Sequence, residues 1–296
     1  DFDGALDFLR KKGQTVAAKR ADREANEGVV VALVNDAGNE ALLLALSSET
    51  DFVAKNEEFI AFANDLAKLA ADNQAESKEA LLALPFDGAT VADKLVEKTG
   101  VIGEKIEITD YQTVSGDNIA SYIHAGSKIG VLVSFKDGGN AEAPTFFRSV
   151  AMHIAAMNPS ILRPEEFDAE FVAKETEAIR AQIIAENEVN ERENLGKPQK
   201  NVPKYVSRLQ LTPEVLAEAE AAIKTELEAE GKPEKIWDKI VPGKIARFIA
   251  DNTLLDLERC LLSQVYALDD SKTVEAAINE LSPDAEIVEF KRVAVG

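Results

Sequence analysis

Two short apolar runs on either side of a turn-forming stretch constrain the fold more than any other feature of this sequence. Residues 28–34 (GVVVALV) and 41–46 (ALLLAL) are almost wholly apolar, and residues 35–39 (NDAGN) between them favour turns. Both runs are short for helices, and the first is rich in β-branched valine, which favours strands. The pattern therefore predicts an antiparallel β-hairpin.

A helix with one buried face is predicted soon after the hairpin. From Phe59 to Ala70 the apolar residues recur at the i, i+3, i+4 and i+7 spacing of an amphipathic helix. The corner between strand and helix carries residues 50–55 (TDFVAK). A phenylalanine at such a corner is usually tucked into the core, and the alternative is a projecting tip that contacts another protein. The local sequence leaves both interpretations of Phe52 open.

A similar order of elements recurs further along the chain. Strands are predicted between residues 106 and 135, and a helix is predicted over residues 145–157. The two helices can be aligned, residues 58–67 with residues 146–155. We therefore predict an α+β fold with two similar subdomains side by side, each a small antiparallel sheet with a helix.

From about residue 168 the sequence changes to long stretches rich in alanine and glutamate. We expect helices over residues 168–194, 213–230 and 233–250, which would project as a coiled-coil-like arm. The run at residues 287–293 predicts a final strand that returns to the second sheet.

The predicted boundaries are 1–26 for the end of an N-terminal helical module, with Gly13 as its cap, and a linker with some helical character; 27–100 for the first core subdomain; 101–167 for the second; 168–270 for the helical arm, an insertion of the dimerisation type; and 271–296 for the return to the second subdomain.

Composition and charge exclude several classes of protein. The 296 residues include 53 acidic and 33 basic side chains, a net charge of −20, which disfavours direct binding to nucleic acid. No run approaches the roughly 18 consecutive apolar residues of a membrane span, so we expect no membrane association. A single cysteine, Cys260, excludes an internal disulfide, suits a reducing cytoplasm and is expected to be a buried apolar side chain.

Few residues point to catalysis. Only two histidines occur, His124 and His153, and neither has a local partner for a catalytic triad or a metal site. The sequence has no GxxxxGK[ST] loop and no GxGxxG motif after a strand, so no nucleotide cradle is predicted. Adjacent carboxylates such as Glu165 and Glu166 are expected by chance in so acidic a chain. We therefore expect no enzyme, no cofactor and no metal ion.

Several segments together resemble a bacterial family, elongation factor Ts, which comprises guanine-nucleotide exchange factors for elongation factor Tu. The most specific are residues 50–59 (TDFVAKNEEF) and 150–156 (VAMHIAA). The others, which follow the family's order, are residues 5–13 (ALDFLRKKG), 17–20 (AAKR), 123–133 (IHAGSKIGVLV), 231–236 (GKPEKI) and 271–274 (SKTV). The resemblance spans nearly the whole chain. It also implies that residues 1–13 correspond to the last helix of a UBA-like N-terminal module, most of which is missing.

The resemblance implies a non-enzymatic exchange mechanism at the strand–helix corner. Asp51 and Phe52, with Thr50 and Val53 beside them, would form a tip that enters the nucleotide domain of elongation factor Tu. Phe52 would wedge between side chains beside the magnesium and phosphate site. Mg²⁺ coordination and the phosphate-binding loop would be disturbed, and GDP would leave.

A second contact is implied in the other subdomain. His153, with Met152 and Gly126, would meet a different domain of the partner, although the residues alone equally allow a structural, hydrogen-bonded histidine. The partner would be elongation factor Tu in its GDP-bound and nucleotide-free forms, and the sequence leaves a homodimer or a 2:2 complex open. Two rival functions are an acidic helical scaffold, which predicts a buried Phe52, and a hydrolase, which predicts a pocket of coupled acids.

Overall fold

The chain folds into two compact units. The computed structural model describes the backbone of residues 2–296 and the side chains of residues 11–296. One unit combines the chain up to Asn158 with Ala277–Gly296, and the other is Pro159–Ala276. None of the helices in the described part of the chain is long and apolar enough to cross a membrane.

The larger unit contains a first sheet of three antiparallel strands. The predicted hairpin is confirmed as β1 (Glu27–Val34) and β2 (Glu40–Ser48). In the turn between them, the Asn35 side chain accepts hydrogen bonds from two backbone N–H groups. The third strand, β5 (Glu107–Ser115), pairs with the other edge of β2, which gives the order β1-β2-β5.

The central strand β2 is buried on both faces. Its even-numbered residues from Leu42 to Leu46 pack beneath the helices, and its odd-numbered residues from Ala41 to Ala45 pack toward a second sheet. A strand that must be apolar on both faces has a continuous apolar sequence rather than an alternating one. The leucine-rich run at residues 41–46 therefore reflects the position of the strand between the two apolar clusters of the larger unit.

The placement of β5 differs from the predicted grouping of residues 101–167 with the second subdomain. The buried residues of β5 are Ile108, Tyr111 and Val114, three positions apart. A shift in the register against β2 places Ile108 in the same apolar cluster as Tyr111, and Val114 belongs to the cluster on the other face. The apolar residues of this segment predict a strand but carry no information about which sheet the strand joins. Pairing with β2 places it in the first sheet.

The second sheet also has three antiparallel strands. Its members are β6 (Asn118–His124), β7 (Ile129–Asp137) and β10 (Ala285–Ala294), in the order β10-β7-β6. The predicted return of the final strand is confirmed, because β10 pairs along the whole of β7. The central strand of this sheet thus pairs with a segment that follows it by about 150 residues in the sequence.

The two sheets stack face to face, and a helix covers the outer face of each. The helix α3 (Glu57–Asp72) packs on the first sheet, and α6 (Ala143–Met157) packs on the second. The buried residues between the sheets are Val30, Ala41, Leu43, Ala45, Val114, Leu132, Val293 and Val295. The α+β class is confirmed. The two sheet-and-helix subdomains meet through the inner faces of their sheets, because each sheet has a second apolar face that stacking buries.

The first helix of the chain meets another helix at a pair of glycines. A Cβ atom on Gly100 of α5 (Val91–Ile102) would lie 2.5 Å from the Cα atom of Gly13 in α1 (Phe2–Arg20). The predicted helix end at Gly13 is wrong, because residues 14–20, predicted as part of a linker with some helical character, continue α1. Gly13 is present because the two backbones approach closely there.

Between α3 and α5 the chain forms small elements that close the core beneath the first sheet. They are α4 (Lys78–Ala83) and a two-residue ladder of β3 (Pro85–Phe86) and β4 (Ala89–Thr90). Leu81 of α4 is fully buried in the same apolar cluster as Phe59 and Leu66 of α3. This cluster supports the segment that carries the candidate site.

The smaller unit is mainly helical. Its elements are α7 (Ala169–Arg192), α8 (Pro213–Ala229), α9 (Trp237–Asp251), α10 (Leu254–Arg259), the ladder of β8 (Val265–Tyr266) and β9 (Asp269–Thr273), and the start of α11 (Val274–Leu281). α8 packs against α9, and the Lys244 ammonium lies 2.8 Å from a Glu226 carboxylate oxygen. α7 instead exchanges hydrogen bonds with a segment that has no regular secondary structure, through Asn187 and Lys200. The coiled-coil form of the arm stays a prediction.

The core of the smaller unit gathers segments that are distant in sequence. It contains Phe167, Val172, Val206 and Leu255. Cys260 is also fully buried, as predicted, and its thiol donates a hydrogen bond to the Leu162 carbonyl. Burial raises the pKa of this thiol, so the side chain is a packed apolar group rather than a reactive thiolate.

Candidate functional site

The strand–helix corner forms a short, capped tip. β2 ends at Ser48, and a helix of one turn, α2 (Asp51–Ala54), follows. Thr50 is the N-cap residue, with extended backbone and a hydroxyl that accepts a long hydrogen bond of 3.5 Å from the Val53 N–H group. The Ser48 hydroxyl donates to the Thr50 carbonyl at 3.1 Å. The end of the strand therefore passes directly into the start of the helix.

The side chains of α2 divide between solvent and core. Phe52 is 85% exposed, whereas Ala54 is buried and Val53 packs against the cluster beneath the first sheet. Seven residues later, Phe59 is only 3% exposed. A helix of one turn can bury only one face, and Val53 and Ala54 occupy it. Of the two interpretations of Phe52, the projecting tip is the one that the structure contains.

A charged pair lies beside Phe52. The Lys55 ammonium is 2.6 Å from a carboxylate oxygen of Asp51, one turn earlier in the chain. Their mutual hydrogen bond is the main cause that lowers the pKa of Asp51 and raises the pKa of Lys55. Both groups are solvent-exposed, so the pair adds little to stability. The pair places the Asp51 carboxylate, bonded to the Lys55 ammonium, next to the aromatic ring at the end of the tip.

An apolar groove of about 220 Å³ opens beside the tip. Phe52 and Val53 line one part of it, and Val101 and Ile102 at the end of α5 line another. Val101 is 70% exposed. The sequence-based prediction missed these two residues. The sequence does indicate them: two β-branched residues stand just before Gly103, where a helix is expected to end. Apolar side chains at that position extend beyond the part of the helix that packs on the core.

The residues that precede the tip are held by a set of polar contacts. The Thr50 N–H group donates to one carboxylate oxygen of Glu104 at 3.0 Å, and the Thr50 hydroxyl donates to the other at 2.7 Å. Glu49 accepts from the Arg20 guanidinium, which lies 2.7 Å from both of its carboxylate oxygens, and from the Lys105 N–H group at 2.8 Å. Sequence reasoning missed Glu104 and Glu49, because each acts on residues that are distant in the chain.

Burial and hydrogen bonding oppose each other at Glu49. Burial acts to raise the pKa of this carboxyl, but the hydrogen bonds from Lys105 and Arg20 and the nearby positive charges outweigh it, so the pKa is lowered. Glu49 is therefore ionised at neutral pH. Its charge ties the end of α1 to the segment that leads into the tip.

The second predicted contact is only partly available at the surface. Met152 is 40% exposed on α6, but His153 is 1% exposed and lies on the face of α6 that packs on the second sheet. A direct contact between His153 and a partner is therefore not offered by this structure. The physical reason is the helical register, which places His153 next to the fully buried Ile154 and Val150.

Gly126 lies in the exposed turn between β6 and β7. Three successive residues there, Ala125, Gly126 and Ser127, have φ values of +53°, +63° and +69°, a backbone region that non-glycine residues rarely adopt. His124, also exposed, precedes this turn, and its Nδ1 atom is 2.9 Å from the Tyr122 hydroxyl. Thr50 to Val53 thus form one continuous site, while Gly126 and Met152 belong to the second sheet and its helix.

Comparisons with known proteins agree in pointing to one family. The family model described as "Elongation factor TS" matches residues 49–202 and 199–296. An elongation factor Ts from Rhodopirellula baltica is 68% identical over 295 residues, an alignment that covers 100% of this chain and 90% of the relative. Elongation factor Ts from Flavobacterium johnsoniae is 48% identical over 296 residues, with the same coverage, and that from Streptococcus suis is 45% identical over 300 residues, with 100% and 84% coverage. The chain therefore belongs to the elongation factor Ts family and is an elongation factor of protein biosynthesis.

Proposed function

We propose that this chain is a guanine-nucleotide exchange factor for elongation factor Tu, that it acts in the cytoplasm, and that it does so without catalytic chemistry of its own. The observation that carries the proposal is Phe52, which is 85% exposed on a capped turn of helix beside the charged carboxylate of Asp51. Burying such a ring in a partner is worth about 1.5–3 kcal/mol. In the free chain that free energy is not used.

The exchange follows from a preference for the nucleotide-free partner. Phe52 would enter beside the magnesium and phosphate site, with Val101 and Ile102 extending the apolar contact around it. Mg²⁺ is a large local charge that bridges phosphate oxygens, so its displacement weakens the hold on GDP. By linkage, if the factor binds the nucleotide-free form more tightly, it lowers the affinity for GDP by the same ratio. The chain itself then needs no nucleotide site.

The second sheet would supply an additional contact to another domain of elongation factor Tu. Gly126 in its exposed turn and Met152 on α6 would make this contact, while the buried His153 would support α6 from within.

The rival interpretation, an acidic helical scaffold, predicts a buried Phe52. Its 85% exposure removes that support for the scaffold.

Release of a fluorescent GDP analogue from elongation factor Tu tests the proposal. We expect the unmutated chain to accelerate release, and we expect Phe52→Ala to reduce this acceleration by about 10-fold or more, because about 1.4 kcal/mol corresponds to a tenfold change and the buried ring is worth more. Leu268→Ala is the matched control, since Leu268 is another exposed apolar side chain, at 60% exposure, in the smaller unit. It should leave the acceleration unchanged.

Two results separate the parts of this proposal. If the unmutated chain does not accelerate release, the exchange function is wrong. If Phe52→Ala, folded normally, accelerates release as well as the unmutated chain, then the exchange function stands and the wedge mechanism is wrong.

A further inference from the structure

The helix that carries Phe52 is too short to be stable by itself. Four residues form one turn, and an isolated turn of helix is unfavourable in water because it fixes several dihedrals for one or two hydrogen bonds. Its cap is also weak by itself, since the bond from the Val53 N–H group to the Thr50 hydroxyl is 3.5 Å long. Some other contact must hold the cap residue in place.

That contact is the carboxylate of Glu104. It receives two hydrogen bonds from Thr50, one from the backbone N–H group at 3.0 Å and one from the hydroxyl at 2.7 Å. Hydrogen bonds to a charged acceptor are about twice as strong as neutral ones. Because the hydroxyl proton points to Glu104, an oxygen lone pair is left for the Val53 N–H group. Glu104 therefore sets both the backbone position and the hydroxyl orientation of the cap.

Glu104 is itself carried by a rigid part of the molecule. Gly103, with a φ of +82°, ends α5, and its N–H group donates to the Thr99 carbonyl. The Thr99 hydroxyl is buried and accepts from the Ile106 N–H group at 3.1 Å. The Lys105 N–H group donates to Glu49. The two residues that flank Glu104 on its C-terminal side and the glycine before it are all fixed, so its carboxylate has a defined position.

We propose that Glu104 is a positioning residue for exchange: through its two hydrogen bonds to Thr50 it holds α2 in the orientation that exposes Phe52. The role is indirect, since Glu104 acts through Thr50 and not through contact with nucleotide or Mg²⁺. The effect of Glu104 on nucleotide exchange rests on the proposed function. Its effect on the orientation of α2 is a property of the free chain.

The first test measures that property in the free chain. Glu104→Gln removes the charge and one of the two acceptor oxygens while keeping the shape of the side chain. We expect amide hydrogen exchange of Thr50, Ala54 and Lys55, whose N–H groups are bonded in the tip, to become about 10-fold faster, the loss expected for one charge-assisted hydrogen bond. Glu79→Gln, at an exposed carboxylate in the first turn of α4, changes the net charge equally and should leave these amides unchanged.

The second test is a double-mutant cycle on GDP release from elongation factor Tu. Glu104→Gln should slow the release about 10-fold in the unmutated background, chiefly by lowering the maximal rate at saturating factor. In the Phe52→Ala background it should have almost no further effect, because Glu104 acts only through the orientation of Phe52 and that ring is absent. If Glu104→Gln does not fold, Glu104→Asp, which keeps the charge but shortens the side chain by one methylene group and so withdraws its oxygens from Thr50, replaces it in both tests.

Two results would overturn the inference. One is unchanged amide exchange at the tip in Glu104→Gln, and the other is an equal slowing of GDP release with and without Phe52. Failure of the unmutated chain to release GDP would instead refute the proposed function. In that case the amide exchange of the free chain still decides whether Glu104 holds the tip.

Discussion

Phe52 and Phe59 lie seven residues apart and have opposite environments, 85% and 3% exposed. Phe59 belongs to the periodic apolar face of α3 and contributes to folding. Phe52 belongs to a one-turn helix whose inner face is already filled by Val53 and Ala54. An aromatic ring left in water gives the free chain no burial free energy. The exposure of Phe52 at the end of the tip is therefore the observation on which the proposed contact with a partner rests.

Tyr111 gives a pH-dependent prediction at the same scale. Its hydroxyl donates to the Ala75 carbonyl at 2.7 Å, and burial raises its pKa from 10.0 to about 12. Because the folded state holds this proton more tightly than the unfolded state, the contribution to stability is complete below pH 10 and is lost as the pH rises toward 12. We expect the free energy of unfolding of the unmutated chain to fall over this interval.

Urea unfolding at pH 8, 10 and 11 checks this prediction. Tyr111→Phe should lower the free energy of unfolding by about 1 kcal/mol at pH 8 through the lost hydrogen bond. The difference between the two proteins should then shrink as the pH rises, since other titrating groups cancel in the comparison. Tyr122→Phe, which keeps Tyr111, should retain the full fall. A difference that grows with pH would contradict the assignment.

At the scale of elements, the predictions succeed where one periodic face determines the structure. The alignment of residues 58–67 with 146–155 places Phe59 opposite Phe147 and Leu66 opposite Ile154, and all four are buried. Helix type, length and buried face follow from that spacing. The crossing of α1 and α5 at Gly13 and Gly100 cannot be predicted in this way. A glycine near a predicted helix end has the same sequence signature whether it caps a helix or permits a close crossing.

The glycine crossing gives a prediction about α1. Gly100→Ala would place a Cβ atom 2.5 Å from the Cα atom of Gly13, and backbone cannot move aside cheaply. We expect it to lower the free energy of unfolding by about 1–3 kcal/mol, the usual cost of overpacking. α1 should also become more sensitive to trypsin at Lys19 and Arg20, since Arg20 would lose its pairing with Glu49.

A second helical glycine provides the control for Gly100→Ala. Beyond the backbone of its own helix and its two chain neighbours, no described atom lies within 4 Å of a Cβ atom built on Gly243 in α9. Gly243→Ala should therefore be neutral or stabilising by about 0.5–1 kcal/mol, as expected for alanine in an unobstructed helix. If the two substitutions have the same effect, α1 and α5 do not approach as closely as the glycines indicate.

At the scale of the whole molecule, local sequence stops being informative. The return of β10 could be predicted because it is the last apolar run of the sequence and because the second sheet still had an edge to which a strand could pair. The stacking of the sheets and the pairing of β5 with β2 could not, because neither depends on the strand's own pattern. The candidate site divides in the same way. The tip at Thr50 to Val53 follows from the family motif, whereas Glu104 and Val101 reach it from about fifty residues away.

The stacked arrangement predicts that the last strand stabilises the first sheet. Val293 of β10 is 1% exposed and lies in the layer between the sheets together with Val30 of β1 and Leu43 of β2. Val293→Ala should lower the free energy of unfolding by about 1–3 kcal/mol, from lost burial and an unfilled space. Since the layer belongs to both sheets, amide exchange should accelerate in β2 as well as in β7.

The matched control lies in the same strand. Val288 sits at the bulge of β10 and is 48% exposed, so Val288→Ala should cost less than about 0.5 kcal/mol, as for an ordinary surface substitution. Acceleration confined to β7 and β10 in Val293→Ala would mean that the second sheet opens without the first. The two sheets would then not form one cooperative core, and the residues behind the tip would owe their rigidity to α3, α5 and the first sheet alone.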